Sequence, residues 1–180
     1  MVINLIEPIT TSFGVKFTSF FVFLIGSSSS IGRISSAHLL ETISFYSGST
    51  VHPEHLMGYS CLSVALLNLL YSLYIPSATL LALLVSATGY LHGIMGVLSA
   101  CSVVSMFGIA HVATNDGVYD LSGAVGAYLI AYGVVALVTS SSYQEDDHCI
   151  GAKCYQTCFL CTSGLCFLGF LFSRFIHRNH

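Results

Sequence analysis

HLMGYSCLSVALLNLLYSLYIPSATLLALLVSATGYLHGIMGVLSACSVVSMFGIAHVATN, residues 55–115, contains not one Asp, Glu, Lys or Arg. Soluble domains carry about a quarter of their residues in charged form, mostly on the surface. In this chain of 180 residues the charged fraction is 7% and the hydrophobic fraction 54%. A stretch so long and so free of charge has no face to offer water, so its expected solvent is lipid. Lipid admits only helices and closed barrels, because every backbone N–H and C=O must be satisfied within the protein. The apolar runs here have the length of helices. The expected fold class is therefore an all-α integral membrane protein, a bundle of four or five transmembrane helices.

Five apolar segments extend from that core: Ser12–Ser30, Met57–Ile75, Thr79–Cys101, Leu121–Thr139 and Tyr155–Ser173. A bilayer core of about 30 Å takes roughly 20 helical residues, which suits the last four. The first contains Lys16 and is apolar chiefly over Phe17–Gly26, so it reads as a membrane-associated helix or as the apolar part of a targeting segment. Residues 1–56 form an N-terminal segment holding this stretch (12–30) and a short amphipathic one (37–46) suited to an interface. Residues 57–139 form a three-helix core, 140–154 a polar loop, and 155–180 a last helix with a basic tail. The link Ile75–Ala78 contains Pro76 and is short enough to make the helices on either side antiparallel neighbours. Asn115-Asp116-Gly117 reads as a turn.

Arg174 and Arg178 follow the last helix, whereas Glu145, Asp146 and Asp147 precede it. The positive-inside rule then puts the C-terminus on the cytoplasmic or matrix side. Counting back, Thr79–Cys101 runs out to in and Met57–Ile75 in to out. A net charge of −3 carries no basic footprint for nucleic acid.

Small residues four apart mark packing faces: Gly89 with Gly93 and Gly96 with Ala100 in one helix, Gly123, Ala127 and Ala131 in another. Close backbone approach is the main source of helix packing in lipid. His92 stands near the centre of Thr79–Cys101, where an ionisable group is expensive and by default a functional hypothesis. Gly89, Gly96 and Ser99 share its face, a furrow that could take the flat edge of a cofactor. Haem iron held by His92 and a second histidine from a partner is one reading; a hydrogen bond to a neighbouring carbonyl is the other.

Leu91-His92-Gly93-Ile94-Met95-Gly96 resembles the His-x-x-x-Gly haem segment in the small membrane-anchor subunits of succinate–quinone oxidoreductase, complex II of the respiratory chain. The resemblance covers roughly residues 52–139. It implies haem b on His92, soluble and membrane partner subunits that supply catalysis, electron transfer to quinone, and the mitochondrial inner membrane. That family carries an Asp-Tyr pair eleven and twelve residues after the histidine; Val103 and Val104 stand here. Fainter is a similarity to acetate-uptake channels, carried by Pro53, Leu56-Met57-Gly58-Tyr59 and Phe107-Gly108, which implies a channel for a small carboxylate. A cofactor-free accessory subunit is the third reading.

His52, Pro53, Glu54 and His55 cluster at the membrane boundary. His52 and His55 could serve quinone head-group binding or proton uptake; helix capping explains the cluster equally well. Cys154, Cys158 and Cys161 have the spacing of an iron–sulfur loop, but at i, i+4 and i+7 they fall on one helical face, where Cys packs as a small apolar residue. Cys149 and Cys154 could pair in an oxidising space. No nucleophile–base pair or carboxylate dyad is in view, so the chain is expected to be non-catalytic alone.

Overall fold

The computed structural model describes residues 18–47, 52–73, 78–129, 133 and 152–178, and among these the chain is all helix and turn. Five α-helices follow in order: α1 Thr18–Ser47, α2 Pro53–Ser72, α3 Ala78–Phe107, α4 Val112–Tyr128 and α5 Ala152–Arg178. A 3-10 turn, Ile109–His111, joins α3 to α4. The short link at 74–77, the loop at 134–151 with Cys149, and the side chain of Cys154 lie outside the described residues. Three helices contain segments long and apolar enough to cross a membrane: Ser19–Tyr46 in α1, Thr79–Phe107 in α3 and Gln156–Phe175 in α5.

By their principal contacts the helices stand in the row α1–α3–α2–α5. α3 and α2 are the two inner members of the row, and Ser60, Asn68 and Ser72 of α2 are buried there. α2 starts where Pro53 supplies a preset φ and lacks the N–H that would go unused, with His52 as the extended N-cap residue and Glu54 in the first turn. α2 and α3 are antiparallel neighbours, as the short link requires: Tyr71 meets Thr88 near one end and Glu54 meets Ser105 near the other. α5 is likewise antiparallel to α2, pairing Phe159 with Tyr71 and Ser163 with Ala65. α1 runs parallel to α3, since Ile25 faces Gly89 and Ser29 faces Gly93.

The apolar core crosses the whole row at one end of the bundle, where Phe21 and Ile25 of α1, Tyr71 of α2, Leu81, Leu84 and Val85 of α3, and Cys158 and Phe159 of α5 are buried together. The Tyr71 and Phe159 rings stack there at 5.0 Å. Elsewhere the polarity is reversed from that of a water-soluble bundle. Serines and threonines are buried (Ser36, Ser99, Ser102, Thr162), while Phe23, Ile34, Leu83, Phe172 and Phe175 are exposed.

Three local expectations are corrected. The stretch read at 12–30 and the amphipathic one at 37–46 are not separate over the described residues; α1 runs from Thr18 through both without interruption. Ser27 and Ser30 donate to the carbonyls of Phe23 and Gly26 four residues back, and Ser35 and Ser36 to those of Gly32 and Arg33 three back. Their hydroxyls are thus satisfied inside the helix, so serine here does not compete for a turn. Asn115-Asp116-Gly117 is not the turn either; it lies within α4. The chain turns earlier, at Gly108, whose φ of +74° is a backbone conformation open mainly to glycine. Finally, of the packing face read at Gly123, Ala127 and Ala131, the last lies outside the described residues, and Gly123 and Ala127 are exposed among them. No residue of α4 is buried, nothing stands within 4 Å of a side chain built at Gly123, and the principal contacts of α4 are with α3 and the 3-10 turn alone.

Candidate functional site: the mid-helix face around His92

Gly89, Gly93 and Gly32 let α1 and α3 approach until backbone touches backbone. A Cβ on Gly93 would run into the Ser29 carbonyl and one on Gly32 into the Tyr90 carbonyl, while at Gly89 it would stand 2.7 Å from the Ile25 oxygen. The furrow read from the sequence beside His92 is therefore filled at Gly89 by α1. Such a seam draws its stability from dispersion and from weak contacts between backbones that no side chain separates.

His92 itself points away from that seam and is exposed, as is Gly96 one turn further on. Nothing lies within 4 Å of where a Cβ on Gly96 would stand, so the imidazole has open space on its C-terminal side. Ser99 is buried and its hydroxyl donates to the Gly96 carbonyl of its own helix at 3.0 Å. Of the four residues expected to form a cofactor surface, His92 and Gly96 share an open face, and Gly89 and Ser99 are turned inward. A flat macrocycle could lie against His92 over the bare backbone at Gly96. Among the described residues no three His, Cys, Asp or Glu side chains come together as a metal-binding group, so haem iron would draw one ligand from this chain and the second from elsewhere.

Arg33 is the residue that sequence reasoning passed over. Its backbone nitrogen lies 3.1 Å from a Cβ built on Gly93, which puts it level with His92 at the middle of α3. The Arg33 side chain is exposed, and neither ion pair among the described residues includes it. The signal in the sequence is faint: a lone Arg one turn after Ser29, which itself lies one turn after Ile25. It becomes legible only once 18–47 is known to be one helix.

The boundary cluster is a separate place. Glu54 Oε1 accepts the Ser105 hydroxyl of α3 at 2.5 Å, and the Glu54 carbonyl accepts the Ser173 hydroxyl of α5 at 3.1 Å. His52 Nδ1 lies 3.9 Å from Glu54 Oε2, and the next residue after Ser173, Arg174, stands over the Tyr59 ring at 5.9 Å. This end of the bundle joins three helices through one carboxylate residue. His52 and His55 belong to it, about 20 Å along α3 from His92 at 1.5 Å per residue, so the two groups of histidines do not form one site.

The cysteines divide. Cys158 is buried in the apolar core, Cys161 is exposed and Cys166 half-buried; Cys61 of α2 touches α5 at Gly169. Packing accounts for Cys158, and the outward turn of Cys161 separates it from that face.

No family model, no curated protein and no solved structure matches this chain.

Proposed function

We propose that this chain is an integral membrane subunit of a larger assembly, a bundle of four or five spanning helices that presents the His92 face of α3 to a partner. The observation that carries this reading is the exposure of His92 at the middle of a 30-residue apolar helix. An ionisable side chain at that depth faces a protein interior or a polar cavity rather than lipid tails. Arg33 beside it sharpens the point, because an arginine at the centre of a spanning helix costs about 3 kcal/mol on insertion scales. The inverted polarity, with buried serines and exposed Leu and Phe, supports lipid as the surrounding solvent.

Within that reading the resemblance around Leu91–Gly96 favours a respiratory-type membrane anchor, of the complex II kind, in the mitochondrial inner membrane. Its soluble partners would perform the chemistry and its membrane partners would pass electrons towards quinone. Haem b, when bound, would supply a one-electron carrier within the membrane; His92 would hold it from one side and Gly96 would leave room for its edge. The orientation inferred from Arg174 fits as well, since α3 and α5 run parallel and α2 opposes both.

Purification of the tagged chain from its native membranes in mild detergent, followed by a visible spectrum and mass spectrometry of associated proteins, tests the proposal. A b-type Soret band that disappears in His92→Ala while the partners remain supports the haem anchor. Partners without a band turn the reading to a cofactor-free accessory subunit. Flux of a small carboxylate through liposomes containing the chain alone, with no partner bound, overturns it in favour of a channel.

A further inference from the structure

Arg33 carries a permanent charge, since its guanidinium does not lose its proton in proteins. Among the described residues no carboxylate pairs with it, yet it lies level with Gly93, twelve residues short of the Glu54–Ser105 contact that marks one end of the bundle. Twelve residues of α3 span about 18 Å. An arginine side chain reaches towards an interface by only part of that distance when it snorkels, so lipid phosphate is poorly placed to neutralise it. His92 adds a second hydrogen-bonding, ionisable group on the adjacent helix. Gly96 adds bare backbone against which another helix can lie closely, since nothing stands within 4 Å of its Cβ position.

We infer that Arg33 and His92 form a mid-depth docking site for a partner transmembrane helix that carries an Asp or Glu, seated against Gly96. Charge complementarity selects this occupant. Arginine matches a carboxylate through two parallel N–H···O bonds, and an acidic residue at mid-depth in a partner needs a cation as much as Arg33 needs an anion. A fully apolar helix would leave Arg33 unpaired. The inference rests on the proposal that the chain is a membrane subunit with partners; it assigns the chemistry of one of them and gives the open space at Gly96 to that helix rather than to a haem edge.

The test is photocrosslinking in native membranes. Benzoylphenylalanine replaces Met95, the half-buried neighbour of Gly96, in the full chain, so that the bare backbone at Gly96 is kept, and the linked peptide is identified by mass spectrometry. The expected product is a transmembrane segment of another protein with an Asp or Glu within one helical turn of the linked residue. Arg33→Gln lowers the yield of that product at least tenfold, whereas Arg33→Lys retains most of it and shows that the bundle still inserts. Links to lipid alone, to a second copy of this chain, to residues 1–17 of the same chain, or to a segment without an acidic residue overturn the inference, as does an unchanged yield in Arg33→Gln. A Soret band lost in Arg33→Gln with the cross-link intact also overturns it, assigning Arg33 to the haem carboxylates. If other subunits still co-purify when the inference fails, the membrane-subunit reading survives; if none co-purifies even with the unsubstituted chain, that reading has failed first.

Discussion

Ser105 and Glu54, fifty-one positions apart in the sequence, are joined by a hydrogen bond of 2.5 Å from the serine hydroxyl to Oε1 of the carboxylate. The same glutamate accepts Ser173 through its backbone carbonyl, so the start of α2 and the ends of α3 and α5 are held at one level. That alignment puts the three elements at one end of the bundle and leaves Arg33 and His92 near the middle of their helices.

Replacing Glu54 tests the junction. Glu54→Ala removes the acceptor of Ser105 and is expected to destabilise the bundle by about 1 kcal/mol, below the range for a bond to a buried charged group, because the side chain is partly exposed. Glu54→Gln retains an acceptor oxygen and is expected to lose less. Unfolding of the detergent-solubilised protein by sodium dodecyl sulfate reads the difference; equal losses for the two variants would remove the hydrogen bond from the account.

The glycine seam makes a prediction of opposite signs on one helix. Gly93→Ala forces α1 away from α3 and is expected to cost about 1–3 kcal/mol, the range of overpacked substitutions. Gly96→Ala has open space and gains helix propensity, up to about 1 kcal/mol. Thermal denaturation in detergent compares them, and a destabilised Gly96→Ala variant would contradict the open face.

At the apolar end, Phe159→Ala removes the ring stacked on Tyr71 and is expected to cost about 3 kcal/mol or more, as for other buried aromatic truncations. Ser163→Ala, which loses only the bond to the Ala65 carbonyl, is expected to cost about 0.6 kcal/mol, typical of interhelical hydrogen bonds in membranes. The same unfolding assay ranks the two, and a larger loss at Ser163 would reverse the assignment of the core.

Helix directions are open to a labelling experiment. In a cysteine-free background, His52→Cys and Arg174→Cys are expected to react with a membrane-impermeant maleimide from one side of sealed vesicles, and Thr79→Cys from the other. Labelling of positions 52 and 174 from opposite sides would break the antiparallel pairing of α2 with α5.

Local pattern suffices for part of this fold. Most of α3 was legible, since the uncharged apolar run predicts a helix over Thr79–Cys101, which the structure extends to Phe107, and the close-packing role of Gly89 and Gly93 followed from their spacing. The continuity of α1 was not legible; its serines between 27 and 36 donate to carbonyls three and four residues back and so stay within the helix. The turn was misplaced as well. Asn115-Asp116-Gly117 has the composition of a turn, but Gly108 takes the left-handed backbone conformation first and α4 has already begun by residue 112.

From its composition alone the chain determined that it would be helical, with apolar segments of membrane length, because backbone polar groups without water close only on themselves. The tertiary structure decided which glycines face a neighbour and which stand open, that α1 fills the furrow at Gly89, that Glu54 gathers three helices, and that Arg33 comes level with His92. Those outcomes rest on register, which is set by contacts between distant residues, and a pattern that repeats every few positions within one helix holds no record of where the next helix will lie.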